Sequence, residues 1–279
     1  MKLALGTVQF GLDYGVNNNL GQIPTDEAKK ILNYAKDKGI VTLDTASGYG
    51  NSEQVLGEIG VNDYKVITKT SSLEDGEDEV IKNFYQSLDY LKVDQVDGLL
   101  IHNINDTKDK KFDNLFSKLI ELKKEGLVKK IGFSSYTPEQ VDFLLANFDF
   151  DLIQLPFNVF DARLISGGQL KELKKKNIEI HARSVFLQGV LLDFDNLPSY
   201  FSFWVPQFNQ YQEIVKRSGL SLLEYALNFA LNTQELDKIL VGVNSLSQLS
   251  NIVNSSKLDT NLQAFTVDDE NLLNPGLWT

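Results

Sequence analysis

The chain has 279 residues, 42% of them hydrophobic and 23% charged, with a formal net charge of -11 and no cysteine. That much apolar side chain can build a sizeable core, and the length is near the roughly 250 residues of an α/β barrel. The negative charge argues against a nucleic-acid or anionic-membrane partner, and the lack of cysteine excludes a disulfide framework, a thiol nucleophile and a thiolate metal site.

At the N-terminus, M-K-L-A-L-G is too short an apolar run for a secretory core. No stretch approaches a membrane span, so a cytoplasmic protein is expected. Short β-rich runs then alternate with helical patterns. Strands are expected at Leu3–Thr7, Ile40–Asp44, Lys65–Lys69, Gly98–His102, Lys130–Ser134, Leu152–Leu155, Ile178–Arg183 and Ile239–Val243. These runs are mostly apolar rather than alternating, as in strands covered on both faces.

Helical patterns fill the intervals. Thr25 is placed to cap a helix running to Lys38. Ile81, Phe84, Leu88 and Leu91 share one face of a helix from Glu79 to Leu91, and Phe112, Leu115, Leu119 and Leu122 share one of a helix from Lys110 to Lys124. Thr137-Pro138-Glu139-Gln140 reads as a capping box with proline at the first helical position. Further helices are expected at Gly168–Lys176, Gln207–Ser218 and Ser221–Leu231, after Ser247, and near the C-terminus. Eight β/α units in this length, without a linker-like stretch, point to a single domain over residues 1–279 folded as a closed (β/α)8 barrel. An open doubly wound sheet would need a Gly-rich fingerprint after an early strand; Gly57-Glu58-Ile59-Gly60 lacks that spacing. The interval from Gln188 to Gln207 breaks the rhythm and would lie at the strands' C-terminal rim, either as a substrate-contacting loop or as packing on the barrel wall.

Four polar residues stand where apolar runs end. Asp44 closes Ile40–Leu43, Tyr49 follows in a Gly-flanked loop, Lys69 closes Val66–Thr68, and His102 closes Leu99–Ile101. On parallel strands these side chains would gather at one rim. An aspartate holding a lysine, a lysine lowering a phenol pKa and an imidazole alongside would form a proton-donating device for a carbonyl oxygen. Taken singly, each residue is more often a turn, packing or solvated group than a catalytic one. His181, inside an expected strand, reads as a packed, hydrogen-bonded histidine. Two histidines without cysteine disfavour a zinc or two-metal hydrolase.

Several ordered motifs resemble the aldo-keto reductase family. D-T-A-S-G-Y-G-N-S-E (Asp44–Glu53) is similar to its first signature, and S-L-D-Y-L-K-V-D-Q-V-D-G-L-L-I-H (Ser87–His102) to the second, which ends in the catalytic histidine. V-I-T-K (Val66–Lys69), G-T-V-Q-F-G (Gly6–Gly11), I-G-F-S-S-Y (Ile131–Tyr136) and Q-L-P-F-N (Gln154–Asn158) fit further strands, so the resemblance covers nearly the whole chain. It implies NAD(P)H-dependent reduction of an aldehyde or ketone, a class that includes sugar-derived carbonyls. Tyr49 would be the general acid, assisted by Lys69, Asp44 and His102. Two alternatives share the fold: a cofactor-binding sensor or regulatory subunit, and a redox-neutral sugar lyase or isomerase.

The resemblance also implies a cofactor grip. NADP(H) is the family default, with NAD(H) also admissible, held by Gly6, Thr7, Asp44, Ser134, Ser135, Gln154, Arg183, Ser184, Phe186, Gly189, Gly242, Asn244, Ser245, Gln248 and Asn251. Ser135 stands where an asparagine is usual, and Arg183 where an aromatic residue often stacks on nicotinamide. Asn244 and Ser245 stand where Arg or Lys commonly holds the 2′-phosphate, which predicts a weakened preference for NADPH. Ser245 or Ser247 could instead simply cap the following helix. Val8, Gln9, Tyr14, Phe201 and Trp204 are expected as substrate-pocket walls. The expected partner is a small carbonyl compound, with neither nucleic acid nor membrane.

Overall fold

The computed structural model describes residues 1–16, 18, 20–256 and 262–278. Eight strands run β1 (Leu3–Gly6), β2 (Thr42–Asp44), β3 (Lys65–Lys69), β4 (Gly98–Ile101), β5 (Ile131–Ser134), β6 (Leu152–Pro156), β7 (Glu179–Arg183) and β8 (Lys238–Gly242). Each pairs in parallel with the next, and β8 returns to β1 through Leu3↔Ile239 to Gly6↔Gly242, closing the barrel. The expected (β/α)8 fold is therefore the observed one, and an open sheet is excluded. Strand boundaries move by a residue or two; β2 starts at Thr42 rather than Ile40.

The helices are α1 (Val8–Gly11), α2 (Thr25–Asp37), α3 (Ser52–Ile59), α4 (Glu77–Leu91), α5 (Phe112–Lys124), α6 (Pro138–Asn147), α7 (Arg163–Ser166), α8 (Gln169–Lys175), α9 (Val205–Ser218), α10 (Leu222–Asn232), α11 (Leu246–Ser255) and α12 (Glu270–Leu273). The faces expected on α4 and α5 are those turned to the barrel: Phe84, Leu88 and Leu91, and Phe112, Leu115, Leu119 and Leu122, are buried. Ile81 is only partly buried, and Val80 takes its place in the core. Caps follow the polar residues with one correction. Thr25 is the first residue of α2, and Pro24 holds the cap position. Thr137 caps α6 by accepting from the Gln140 amide, while the Gln140 side chain accepts from Tyr136 N at 2.7 Å, one residue short of a closed box. A complete capping box forms instead on α10, between Ser221 and Glu224.

Strand alternation divides the apolar residues into two cores. Outward-facing Val66, Leu99, Ile101, Phe133 and Ile153 join the helices in a shell, while Ile67, Leu100 and Leu152 pack separately inside the barrel. Inward positions nearer the C-terminal ends carry Asp44, Lys69, Ser134 and Gln154, all at most 4% exposed. The barrel thus has an apolar floor and a polar rim. The interval 188–207 contains two 3-10 segments, Leu187–Leu192 and Ser199–Trp204.

One close backbone approach seats the loop that carries Tyr49. A Cβ on Gly11 would lie 1.8 Å from Tyr49 O and 2.5 Å from Ser52 N. Gly50 has φ +56°, and a Cβ there would lie 2.3 Å from Gly11 O. Only hydrogen atoms fit between these two glycines. Gly11→Ala must therefore push α1 away from the Tyr49 loop. We expect it to lower stability by about 1–3 kcal/mol, measured as a urea midpoint. Gly48→Ala, where a Cβ would meet nothing within 4 Å, should be nearly neutral.

Candidate active site

Lys69 ends β3 pointing into the rim, 2% exposed. Its ammonium has three protons, and three acceptors lie in reach: Asp44 Oδ2 at 2.7 Å, Thr45 O at 2.8 Å and Tyr49 Oη at 3.3 Å. The other Asp44 oxygen accepts from Gln154 Nε2 at 2.6 Å. Asp44 is thus fixed from β3 on one side and β6 on the other. Because the phenol oxygen accepts from Lys69, the Tyr49 proton is left to face the cavity. The His102 ring meets the Tyr49 ring edge-on with centroids 6.0 Å apart, and its backbone N–H donates to Thr70 Oγ1 at 3.2 Å.

Burial and charge set the protonation states. Removal from water would drive Lys69 towards neutrality, but the Asp44 carboxylate and the Tyr49 phenol outweigh this and leave its pKa raised. Burial pushes the Tyr49 phenol above its usual value, and Lys69 pulls it back only in part. The sequence suggested a net lowering; desolvation wins instead. His102 is lowered to about 4, first by burial and then by Lys69, so its imidazole is neutral at neutral pH.

These groups line a cavity of about 590 Å³ that runs across the rim from α1 to α11. Of the residues expected to hold cofactor or substrate, it brings together Gly6, Thr7, Val8, Gln9, Tyr14, Asp44, Ser134, Gln154, Arg183, Ser184, Phe186, Gly189, Gly242, Asn244, Gln248 and Asn251. Four others do not line it. Ser135 follows the end of β5, is fully buried outside the lining, and offers only its carbonyl, which accepts from Arg183 Nη2 at 3.0 Å. Ser245 caps α11, accepting from Gln248 N at 3.3 Å. Trp204 donates to Asp269 Oδ2 at 3.0 Å, and Phe201 packs edge-on against Trp278. The aromatic part of the long interval is therefore wall packing. Its first part, with Gln188, Gly189, Leu192 and Asp193, reaches the cavity.

The cavity suits a dinucleotide. Gln9 Oε1 and Asn244 Oδ1 line it, buried and without a hydrogen-bond partner among the described residues. In the turn after β7, Ser184, Leu187, Gln188 and Gly189 have φ of 58°, 47°, 53° and 97°. These left-handed residues coil the turn tightly, its Leu187 and Gly189 N–H groups donating to Ser184 O and Phe186 O at 2.9 Å each, and hold Ser184, Phe186, Gln188 and Gly189 against the cavity. Arg183 lies 4.2 Å over the Tyr136 ring, and no salt bridge links it to a carboxylate among the described residues.

His181 is fully buried, with Nε2 2.8 Å from Glu179 Oε1, which is the packed histidine expected. No group of three or more potential metal ligands occurs among the described residues, and no described helix is long and apolar enough to cross a membrane. Sequence reasoning missed Tyr136, the platform under Arg183. It also missed Gln188, which donates to the Tyr14 hydroxyl at 2.9 Å across the cavity mouth, and Glu27. Glu27 Oε1 accepts from Leu246 N at 2.9 Å, 219 positions away in the chain. No local pattern announces such a contact.

Comparison with known proteins agrees with this geometry. The aldo/keto reductase family model matches residues 2–267. L-galactose dehydrogenase of Arabidopsis thaliana is 26% identical over 295 aligned positions, covering 97% of this chain and 89% of that protein. Glyoxal reductase of Bacillus subtilis is 29% identical over 60% of this chain and 61% of its own length. Among solved structures, the holo form of an aldo-keto reductase from Bacillus halodurans superposes with a TM-score of 0.74 at 21% identity, covering 94% of this chain and 88% of that one. Glycerol dehydrogenase from Gluconobacter oxydans does so with 0.72 at 22% identity, covering 93% and 88%. The chain belongs to the aldo/keto reductase family and is an NAD(P)H-dependent oxidoreductase.

Proposed function

We propose that the protein reduces a small aldehyde or ketone to the alcohol, with Tyr49 as the general acid. The observation that carries this reading is the three-way grip of Lys69 on Asp44, Thr45 and Tyr49. When bound, the nicotinamide supplies a hydride to the carbonyl carbon. The protein's task is then the proton and the pose. The raised phenol pKa keeps Tyr49 protonated until a substrate oxygen arrives. The Lys69 ammonium stabilises the phenolate left behind, and Asp44 and Gln154 keep Lys69 charged and still. Neutral His102 donates a hydrogen bond that orients the carbonyl oxygen. In oxidation Tyr49 takes the proton back. Val8, Gln9 and Tyr14 form the wall facing the substrate. The relatives are named for L-galactose, glyoxal and glycerol, which makes small oxygenated carbonyls the first compounds to assay.

The adenosine end supports a weak choice between cofactors. At the N-terminus of α11, Leu246 N is taken by Glu27, Gln248 N by Ser245, and the nearby Asn244 N by the Gln248 side chain at 2.7 Å. A 2′-phosphate arriving there meets a carboxylate, where a free helix end would attract it. We expect NADH to serve at least as well as NADPH. Glu27→Gln should shift the ratio of dissociation constants towards NADPH roughly two- to fivefold, the size of an exposed charge effect, read by fluorescence titration. A strong NADPH preference in the wild type would overturn this.

Tyr49→Phe tests the acid directly. We expect kcat to drop about 10²–10⁴-fold with cofactor affinity unchanged, followed as loss of reduced-nicotinamide absorbance. Near-normal turnover in this variant would rule out the assignment. Stability should report on His102 as well. Its folded pKa of about 4 lies below the ordinary 6.5. The unfolded chain therefore binds more protons between these values, and the stabilising contribution of the neutral ring, complete above about pH 6.5, is lost as pH falls towards 4. His102→Asn should lose about 2 kcal/mol less over that window, measured by urea denaturation at a series of pH values. Parallel curves would contradict the buried, neutral imidazole.

A further inference from the structure

We infer that a second cleft, beside His102, receives an uncharged, hydroxylated tail of the substrate; this rests on the reductase reading above. The cleft holds about 520 Å³ and opens at the rim between α3, α4 and the loops after β3 and β4. That is within the size of small-molecule sites, roughly 300–1,000 Å³. It shares His102 and Tyr136 with the catalytic cavity, so the two spaces meet at the imidazole. Chain neighbours of the site residues face it: Ser47 and Gly48 precede Tyr49, Thr70 and Ser71 follow Lys69, and Asn103 follows His102. A substrate whose carbonyl oxygen lies at Tyr49 and His102 would direct its next carbons this way.

The lining fixes the chemistry of what fits. Ser47, Thr70, Ser71, Asn83, Gln86 and Asn103 offer hydroxyl and amide groups, and neither Lys nor Arg lines the cleft. Its single carboxyl group, Glu53, is 4% exposed. It is taken up by Thr68 Oγ1 at 2.6 Å and by Ser87, and burial holds its pKa above the usual carboxylate range. An anionic tail would find no counter-charge here. An apolar tail would strip water from groups it could not pair with, at a cost for each. A chain of neutral hydroxyls can both donate and accept at these groups, while its carbons rest against the apolar remainder of the lining, Tyr90 and Tyr136 included. The catalytic cavity differs: there Lys69 and Arg183 present fixed cations. The substrate is thus read in two parts, a carbonyl in the charged cavity and a polyol tail in the neutral cleft.

The test compares erythrose with butanal, which share a four-carbon aldehyde chain but differ in hydroxyls. It uses wild type and the Asn83→Leu/Gln86→Leu variant, both assayed with saturating reduced cofactor. The two side chains stand on α4, where leucine keeps helix propensity, and a thermal melt monitors folding. We expect wild type to favour erythrose by at least tenfold in kcat/KM. The variant should lose most of that ratio through a higher KM for erythrose, and erythritol should inhibit it more weakly. The ratio is taken within one protein, so partial loss of active enzyme cancels. Turnover of butanal with no advantage for erythrose, or an unchanged ratio in the variant, overturns the cleft while leaving the reductase reading intact. Cofactor binding with turnover of neither aldehyde overturns the reductase reading, and the cleft assignment with it.

Discussion

The buried pair of Asp44 and Lys69 is the constraint on which the rim is built. Two ions at 4% and 2% exposure have left water, a step that costs several kcal/mol for each and is recovered only with close geometry and further hydrogen bonds. The structure supplies them from four directions. The register of β1, β2 and β3 sets Asp44 beside Gly6 and Ile67, so that Lys69, two residues beyond Ile67, reaches over it. Gln154 arrives from β6, Thr45 from the next peptide, and Tyr49 from a loop pressed against α1 by paired glycines. Directly beneath is the apolar interior of Ile67, Leu100 and Leu152, which offers no alternative partner. The ammonium therefore has one arrangement available to it, and the phenol is held wherever that arrangement puts it.

The rest of the local electrostatics follows from this choice. A lysine kept charged in a dry rim lowers the proton affinity of everything nearby. His102, neutral first because it is buried, is pushed further the same way by Lys69 and, from the opposite wall, by Arg183. In a chain with a net charge of -11, the cavity lining is balanced, with Lys69 and Arg183 against Asp44 and Asp193. Acidic residues are numerous on the surface, yet Asp44 is the only carboxylate held against Lys69 among the described residues.

Much of this was legible in the sequence. Apolar runs ending in Asp44, Lys69 and His102 located strands and rim together, because in a parallel barrel the residue closing a strand faces the open end. Repeated apolar spacing exposed α4 and α5 in the same way. What escaped notice depends on distance in the chain or on competition between terms. The Glu27–Leu246 contact joins segments that share no pattern. Ser135 resembles a ligand position but turns away because β5 ends one residue earlier. Trp204 and Phe201 sit in a segment rightly placed at the rim, yet their own partners, Asp269 and Trp278, draw them outward. The Tyr49 shift was misjudged in sign because adjacency to lysine can be read from motifs, whereas the depth of burial cannot.

The arrangement of the rim along the chain has a consequence of its own. Asp44, Tyr49, Lys69 and His102 come from β2, β3 and β4 and the loops that follow them, within residues 44–102. The facing wall of Ser134, Arg183, Ser184, Asn244 and Gln248 comes from residues 134–251. Among the described residues, Gln154 is the one side chain of the second half that hydrogen-bonds the Asp44 carboxylate directly. Chain order is therefore also a partition of roles, and the parts are tied at the centre by Gln154 and Asp44, at the cavity mouth by Gln188 and Tyr14, and at α11 by Leu246 and Glu27.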